Sequence, residues 1–207
     1  MPRAFTESER EKLEAKLVGV GKKLVNRLGI RRLSVDDVVK EVGISKGSFY
    51  SFFPSREDFI LSVFESWETE YRGRLLKEVT ESAGSPRERM ERFFIGAFEI
   101  IEREPGLATL GLKDIETIIE RLPPERLARH QANDSRVLEE TFERWGAQGV
   151  IDPAMLVAMR GLIPALFSIA MHKDDFPAGT YQPTVRLLAE ALALRICSGP
   201  NDTGGES

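Results

Sequence analysis

LSVDDVVKEVGISKGSFYSFFPSRE, Leu33 to Glu57, is the stretch that decides the fold. Val35, Val38, Val39 and Val42 recur at helical spacing, and Ser34 followed by Asp37 gives an N-cap and an acid in the first turn. A short helix is predicted over Val35–Val42. Gly43 breaks it, because a tight turn between two helices needs a left-handed backbone that glycine adopts without strain. Ser45 caps a second short helix, expected to end near Phe53, where Pro54 stops it. Val35, Val38, Val39, Val42, Ile44, Phe49 and Phe53 are spaced to bury against one another and against a preceding helix. That leaves Lys46, Gly47, Ser48, Tyr50, Ser51 and Phe52 facing outward. A cation, several hydroxyls and a position without a side chain suit a nucleic-acid surface. Lysine neutralises phosphate or donates to guanine, hydroxyls bond phosphate oxygens, and glycine allows close approach.

Outward from this stretch the pattern stays helical. Thr6-Glu7-Ser8-Glu9 has capping-box spacing, and Leu13, Leu17, Val20, Leu24 and Leu28 follow every three or four residues until Gly29. Ser55 with Asp58 opens a long helix to about Ser82. Ser85-Pro86-Arg87-Glu88 opens another, which Pro105-Gly106 closes after Glu104. Further helices are expected near Ala108–Arg121, Glu125–Ala147, Pro153–Lys173 and Gln182–Cys197. No alternating strand pattern, repeat or low-complexity tract is present. The expected fold is all-α with about nine helices. Residues 1–56 form a helix-turn-helix domain, 57–198 a larger helical domain, and 199–207 a flexible tail by composition.

Composition sets the class. With 42% hydrophobic and 30% charged residues, the 207-residue chain can bury a sizeable core. Its net charge of −4 hides a division. Residues 1–56 hold twelve Lys/Arg against seven Asp/Glu; the remainder holds seventeen against twenty-six. A basic head on an acidic body presents one end to phosphate. The single cysteine, Cys197, forbids an internal disulfide, and the polar N-terminus reads as no secretory signal, so a cytoplasmic location is expected. The longest apolar run, Ala154–Met171, holds Arg160 and Pro164 and reads as too short to span a bilayer comfortably. A buried core helix is expected there, with no membrane partner.

The helix-turn-helix stretch resembles the DNA-binding domain of the TetR family of transcriptional repressors. GISKGSFYSFFPSR, Gly43 to Arg56, follows that family's pattern G-[VI]-S-K-G-x-[LF]-Y-x-[HYF]-F-x-[ST]-[KR]. The preceding Leu24, Gly29, Ser34, Val35 and Val38 also fall where the family places them. The resemblance implies that Ser34 contacts a phosphate and that Ser45, Lys46, Gly47 and Ser48 enter the major groove. It also implies that Tyr50 and Ser51 bond the DNA backbone and that Arg56 clamps another phosphate at a helix N-terminus. One departure is Phe52, where the family often has histidine or tyrosine. That puts a polar phosphate contact there in doubt.

The rest of the chain resembles the family in length and helical character. Ala154–Met171 and Val185–Cys197 are apolar nearly all round, so one face can pack on the chain and the other needs a partner. Ala158, Gly161 and Ala165 share a face where small residues admit a second helix. The resemblance implies a homodimer through these helices. Phe94, Phe98 and Ile101 form a stripe, with Phe142, Trp145, Met155, Met159 and Phe167 as candidate neighbours around a small hydrophobic ligand. Core packing alone gives the same stripe. The two histidines, His130 and His172, have no cysteine or carboxylate at a metal-ligand spacing strong enough to argue from, and no nucleophile–base pair is visible. Gly19-Val20-Gly21-Lys22-Lys23 lacks the leading glycine and trailing Ser/Thr of a phosphate loop; Gly21 reads as a close helix crossing. No cofactor, metal or catalytic residue is expected. The expected function is a ligand-responsive repressor binding double-stranded palindromic operator DNA as a dimer. The alternatives are a helical protein- or lipid-binding module with a basic end and, further off, a small-molecule enzyme.

Overall fold

The computed structural model describes residues 6–103 and 112–197, with the backbone alone at 100–103 and 112. Among these residues there are nine α-helices and no strand. They are α1 (Glu7–Leu28), α2 (Val35–Val42), α3 (Lys46–Tyr50), α4 (Arg56–Glu81), α5 (Pro86–Arg103), α6 (Leu112–Arg121), α7 (Pro124–Ala147), α8 (Leu156–Met171) and α9 (Tyr181–Cys197). The expected tail 199–207 and the start of the helix expected from Ala108 lie outside the described residues.

The local signals behave as their chemistry dictates. Thr6 and Glu9 form a complete capping box, and Ser85 with Glu88 forms another. Ser34 accepts from the Asp37 amide, Ser45 from Ser48 and Ser55 from Asp58. Gly43 adopts φ 82° and ψ 38°, the left-handed turn between α2 and α3. Helix α3 is shorter than its sequence suggests, ending at Tyr50 rather than Phe53. Ser51 and Phe52 donate to the carbonyls of Ser48 and Phe49, so the chain tightens into a turn. Pro54 disfavours a helical backbone for Phe53.

By packing, the described residues fall into two compact units. The first holds residues 6–70 together with 112–127. Leu17, Val20, Leu24 and Val25 of α1 are buried, as are Val38, Val39 and Val42 of α2, Phe49 of α3, and Phe59, Ile60 and Val63 of α4. Phe49, Phe53 and Phe59 form a triangle of rings with centroids 5.0–5.5 Å apart. Gly21 lets α1 press onto α4: a Cβ there would lie 2.6 Å from Phe59 Cζ and Val63 Cγ2. The expected close crossing is present.

Ion pairs hold α6 and the start of α7 within the same unit. Arg126 donates to Asp58 at 2.6 Å and to both Glu65 oxygens at 2.5 and 2.7 Å. Arg31 donates to Asp114 at 2.7 Å. These acids hold both guanidiniums above the usual arginine range, Glu65 contributing most at Arg126 and Asp114 at Arg31.

The second unit holds residues 71–103 and 128–197. Its core brings Val79, Met90, Phe93, Phe94 and Phe98 together with Phe142, Trp145, Met159, Leu166, Val185 and Ala189. Phe93 and Trp145 meet edge to face at 5.4 Å. The expectation for Ala154–Met171 needs correction. By length and composition Pro153–Met171 is sufficient to cross a membrane, yet only 17% of that window is buried in the chain. Met159, Leu166 and Ala170 face inward, while Val157, Ala158, Gly161, Ala165 and Phe167 are exposed. It is therefore a core helix on one face only. The other face carries exposed apolar side chains, and α9 likewise exposes Leu187 and Leu194.

Candidate nucleic-acid interface

Helix α3 divides its five residues between two surfaces. Phe49 is fully buried and anchors the helix, whereas Lys46, Gly47 and Tyr50 are exposed and Ser48 is half-buried. A helix this short cannot persist alone. It is held by Phe49 beneath and by the Ser45 cap before it, where the Ser45 and Ser48 hydroxyls also meet at 3.0 Å. Nothing crowds Gly47: an added Cβ would meet only the Ser45 hydroxyl, at 3.8 Å. Ser51 is exposed and donates its hydroxyl to the Ser48 carbonyl at 2.6 Å. Ser34, capping α2, donates to Asp37 at 2.5 Å.

Lys46 carries the charge of this face, and it is tethered. Its Nζ lies 2.8 Å from Asp36 Oδ1 on α2, with both side chains more than half exposed. The hydrogen bond and the charge of Asp36 hold the ammonium above the usual lysine range.

Arg56 departs from the phosphate clamp implied by the resemblance. Its Nε donates to the Leu33 carbonyl at 2.7 Å, its Nη2 to the Ile30 carbonyl at 2.6 Å, and its Nη1 to Glu57 at 3.3 Å. The guanidinium is turned inward and fixes the turn ahead of α2. Phe52 also has a partner inside the chain. Arg10 lies 4.5 Å from its ring centroid and donates to the Ser51 carbonyl at 2.8 Å. Sequence reasoning missed Arg10, Asp36 and Lys16, whose Nζ donates to the Val42 carbonyl at 3.0 Å. Their partners lie well away in sequence, and no motif marks them.

Of the candidate ligand residues, Phe94, Phe98, Phe142, Trp145 and Met159 come together in the second unit's core, with Met155 packed against it. Phe167 does not join them; it is 48% exposed on the outer face of α8. The Ile101 side chain lies outside the described residues.

Residues 17–63, from mid-α1 to mid-α4, match the family model described as bacterial regulatory proteins, tetR family. The HTH-type transcriptional regulator YuxN of Bacillus subtilis is 31% identical over 106 residues, 51% of this chain and 35% of that protein. The HTH-type transcriptional repressor KstR2 of Mycolicibacterium smegmatis is 31% identical over 74 residues, 36% of each. The chain thus spans little more than a third of the length of these curated relatives. A TetR-family transcriptional regulator from Pectobacterium atrosepticum shares the fold at TM-score 0.70 and 20% identity, over 94% of this chain and 99% of that one. Residues 17–63 are thus similar to the DNA-binding region of the tetR family of bacterial regulatory proteins, and the chain shares its fold with a solved structure of that family along nearly its whole length.

Proposed function

We propose that the protein is a dimeric transcriptional repressor, with residues 1–56 reading a palindromic operator and 57–198 pairing subunits and binding a small, largely apolar inducer. The observation that carries this reading is α3 itself: a five-residue helix with a buried phenylalanine on one side and Lys46, Gly47, Ser48 and Tyr50 on the other. Ser34 and Ser51 flank that face with hydroxyls for phosphate, and Ser45 enters the groove with α3. Lys46 is the group suited to a guanine edge in the major groove. Arg56 acts by positioning α2, not by touching phosphate.

The uncovered face of α8 and α9 supports pairing. Val157, Phe167, Leu187 and Leu194 are large apolar side chains in water, and Ala158, Gly161 and Ala165 leave room for a partner helix. Two subunits related by a two-fold axis present two copies of α3, which demands a two-fold operator. Half-sites roughly 34–36 Å apart, or a multiple, are expected. The aromatic and methionine side chains of the second unit are of the kind that lines an adaptable apolar site. Such a regulator works in the cytoplasm, where its DNA is.

Selection of bound sequences from a random duplex pool tests this. Recovery of a palindrome supports the repressor. Retention of the pool without sequence preference favours the alternative, a helical module whose basic end meets acidic partners.

A further inference from the structure

The Lys46–Asp36 pair has no evident task in holding the fold. An exposed ion pair contributes little to stability. Asp36 is also not needed as the α2 cap, because Ser34 and Asp37 satisfy each other there. Lys46 is the single cation of α3, so closing the pair leaves the outward face of that helix without net charge. We propose that Asp36 is a specificity-determining residue, acting through Lys46: it withholds the ammonium from phosphate and aims its remaining donors at neutral acceptors.

The chemistry follows from the ammonium's three N–H donors. One is given to Asp36 at 2.8 Å. The other two remain for a pair of neutral acceptors such as guanine O6 and N7. Random duplex offers mainly phosphate, and a lysine already paired with a carboxylate gains little by exchanging one anion for another. No counterion is released on its account, so the pair subtracts one contact from sequence-independent binding. At the operator the same geometry keeps its base-edge donors. Asp36 therefore weakens binding to the wrong DNA more than to the right DNA, which is a repulsive route to discrimination.

This rests on the DNA-reading function above, and the test separates the two. Affinity of wild type, Asp36→Asn, Lys46→Ala and the double variant is measured on random duplex and on the selected operator across a salt series. Asp36→Asn is expected to bind random duplex several-fold more tightly, with a salt slope steeper by about one unit. Operator affinity should hold or fall, so discrimination shrinks, and in the Lys46→Ala background Asp36→Asn should have no effect. Equal gains on both duplexes with unchanged slopes, or an effect that persists without Lys46, overturns the proposal. If the wild type selects no sequence, the repressor reading fails, while the random-duplex slopes still decide whether Asp36 withholds Lys46.

Discussion

The Arg56 guanidinium donates to the Ile30 carbonyl at 2.6 Å, tying the first residue of α4 to the turn that leads into α2. With the Leu33 bond beside it, this fixes both ends of the segment between α1 and α2. Arg56→Ala leaves two carbonyls without their donor and should cost about 1.5–3 kcal/mol in denaturant unfolding, the range for hydrogen bonds to a charged group. Operator affinity should fall with the salt slope unchanged. A slope lowered by about one unit would return Arg56 to the phosphate backbone.

Two glycines of α1 should respond in opposite directions. Gly21→Ala forces a methyl to 2.6 Å from Phe59 and Val63, so overpacking should destabilise by about 1–3 kcal/mol. Gly19 has nothing within 4 Å, so Gly19→Ala should stabilise by about 0.5–1 kcal/mol through helix propensity. Urea unfolding of the two variants makes the comparison; equal effects would refute the close crossing.

Pairing through α8 and α9 is checked by Gly161→Glu and Ala165→Glu. Both sites are exposed in the single chain, so the fold should tolerate the charge. Sedimentation should show a dimer for wild type and monomers for the variants, with operator binding lost. A wild type that sediments as a monomer at micromolar concentration would end the dimer proposal.

Ligand and DNA should oppose each other. A compound that prefers the conformation unsuited to the operator must lower operator affinity by the same factor by which the operator lowers its own. Couplings of about 1–3 kcal/mol are typical. A thermal-shift screen of hydrophobic compounds, run with and without operator, should find hits that stabilise the free protein and loosen DNA. Stabilisers that leave DNA affinity untouched would sink the coupling.

The α1 capping box makes a pH prediction. Glu9 accepts from the Thr6 amide and hydroxyl, both at 2.9 Å, and these bonds hold its carboxyl below the usual glutamate range. A depressed folded-state pKa means stability that is present above the ordinary value and lost as pH falls through the depressed one. Between about pH 5 and pH 3, Glu9→Gln should therefore show a shallower loss of thermal midpoint than wild type. Identical slopes would mean the bonds do not discriminate between the two protonation states.

The helix-turn-helix was legible because its determinants are local. Ser34, Gly43, Ser45 and Pro54 each act within a few residues, and the valine spacing needs no tertiary knowledge. What escaped depends on distant partners. Arg56 sits at a helix start, where a cation reads as a phosphate ligand, yet its acceptors lie 23 and 26 residues earlier. Arg126 meets Asp58 and Glu65 more than sixty residues away, so nothing in the sequence joins 112–127 to the first unit's packing. Phe167 was misplaced for another reason. A helix apolar on every side gives no sign of which face is inward.

The five residues of α3 also bear on how such a protein changes over time. Phe49 is fully buried and anchors the helix, while Lys46, Gly47 and Tyr50 face water. If α3 reads DNA as proposed, sequence preference and folding stability fall on different positions of a single helical turn and its neighbour. On that reading, mutational drift could retarget the outward set to another operator while the inward residue stays constant, without passing through unstable intermediates.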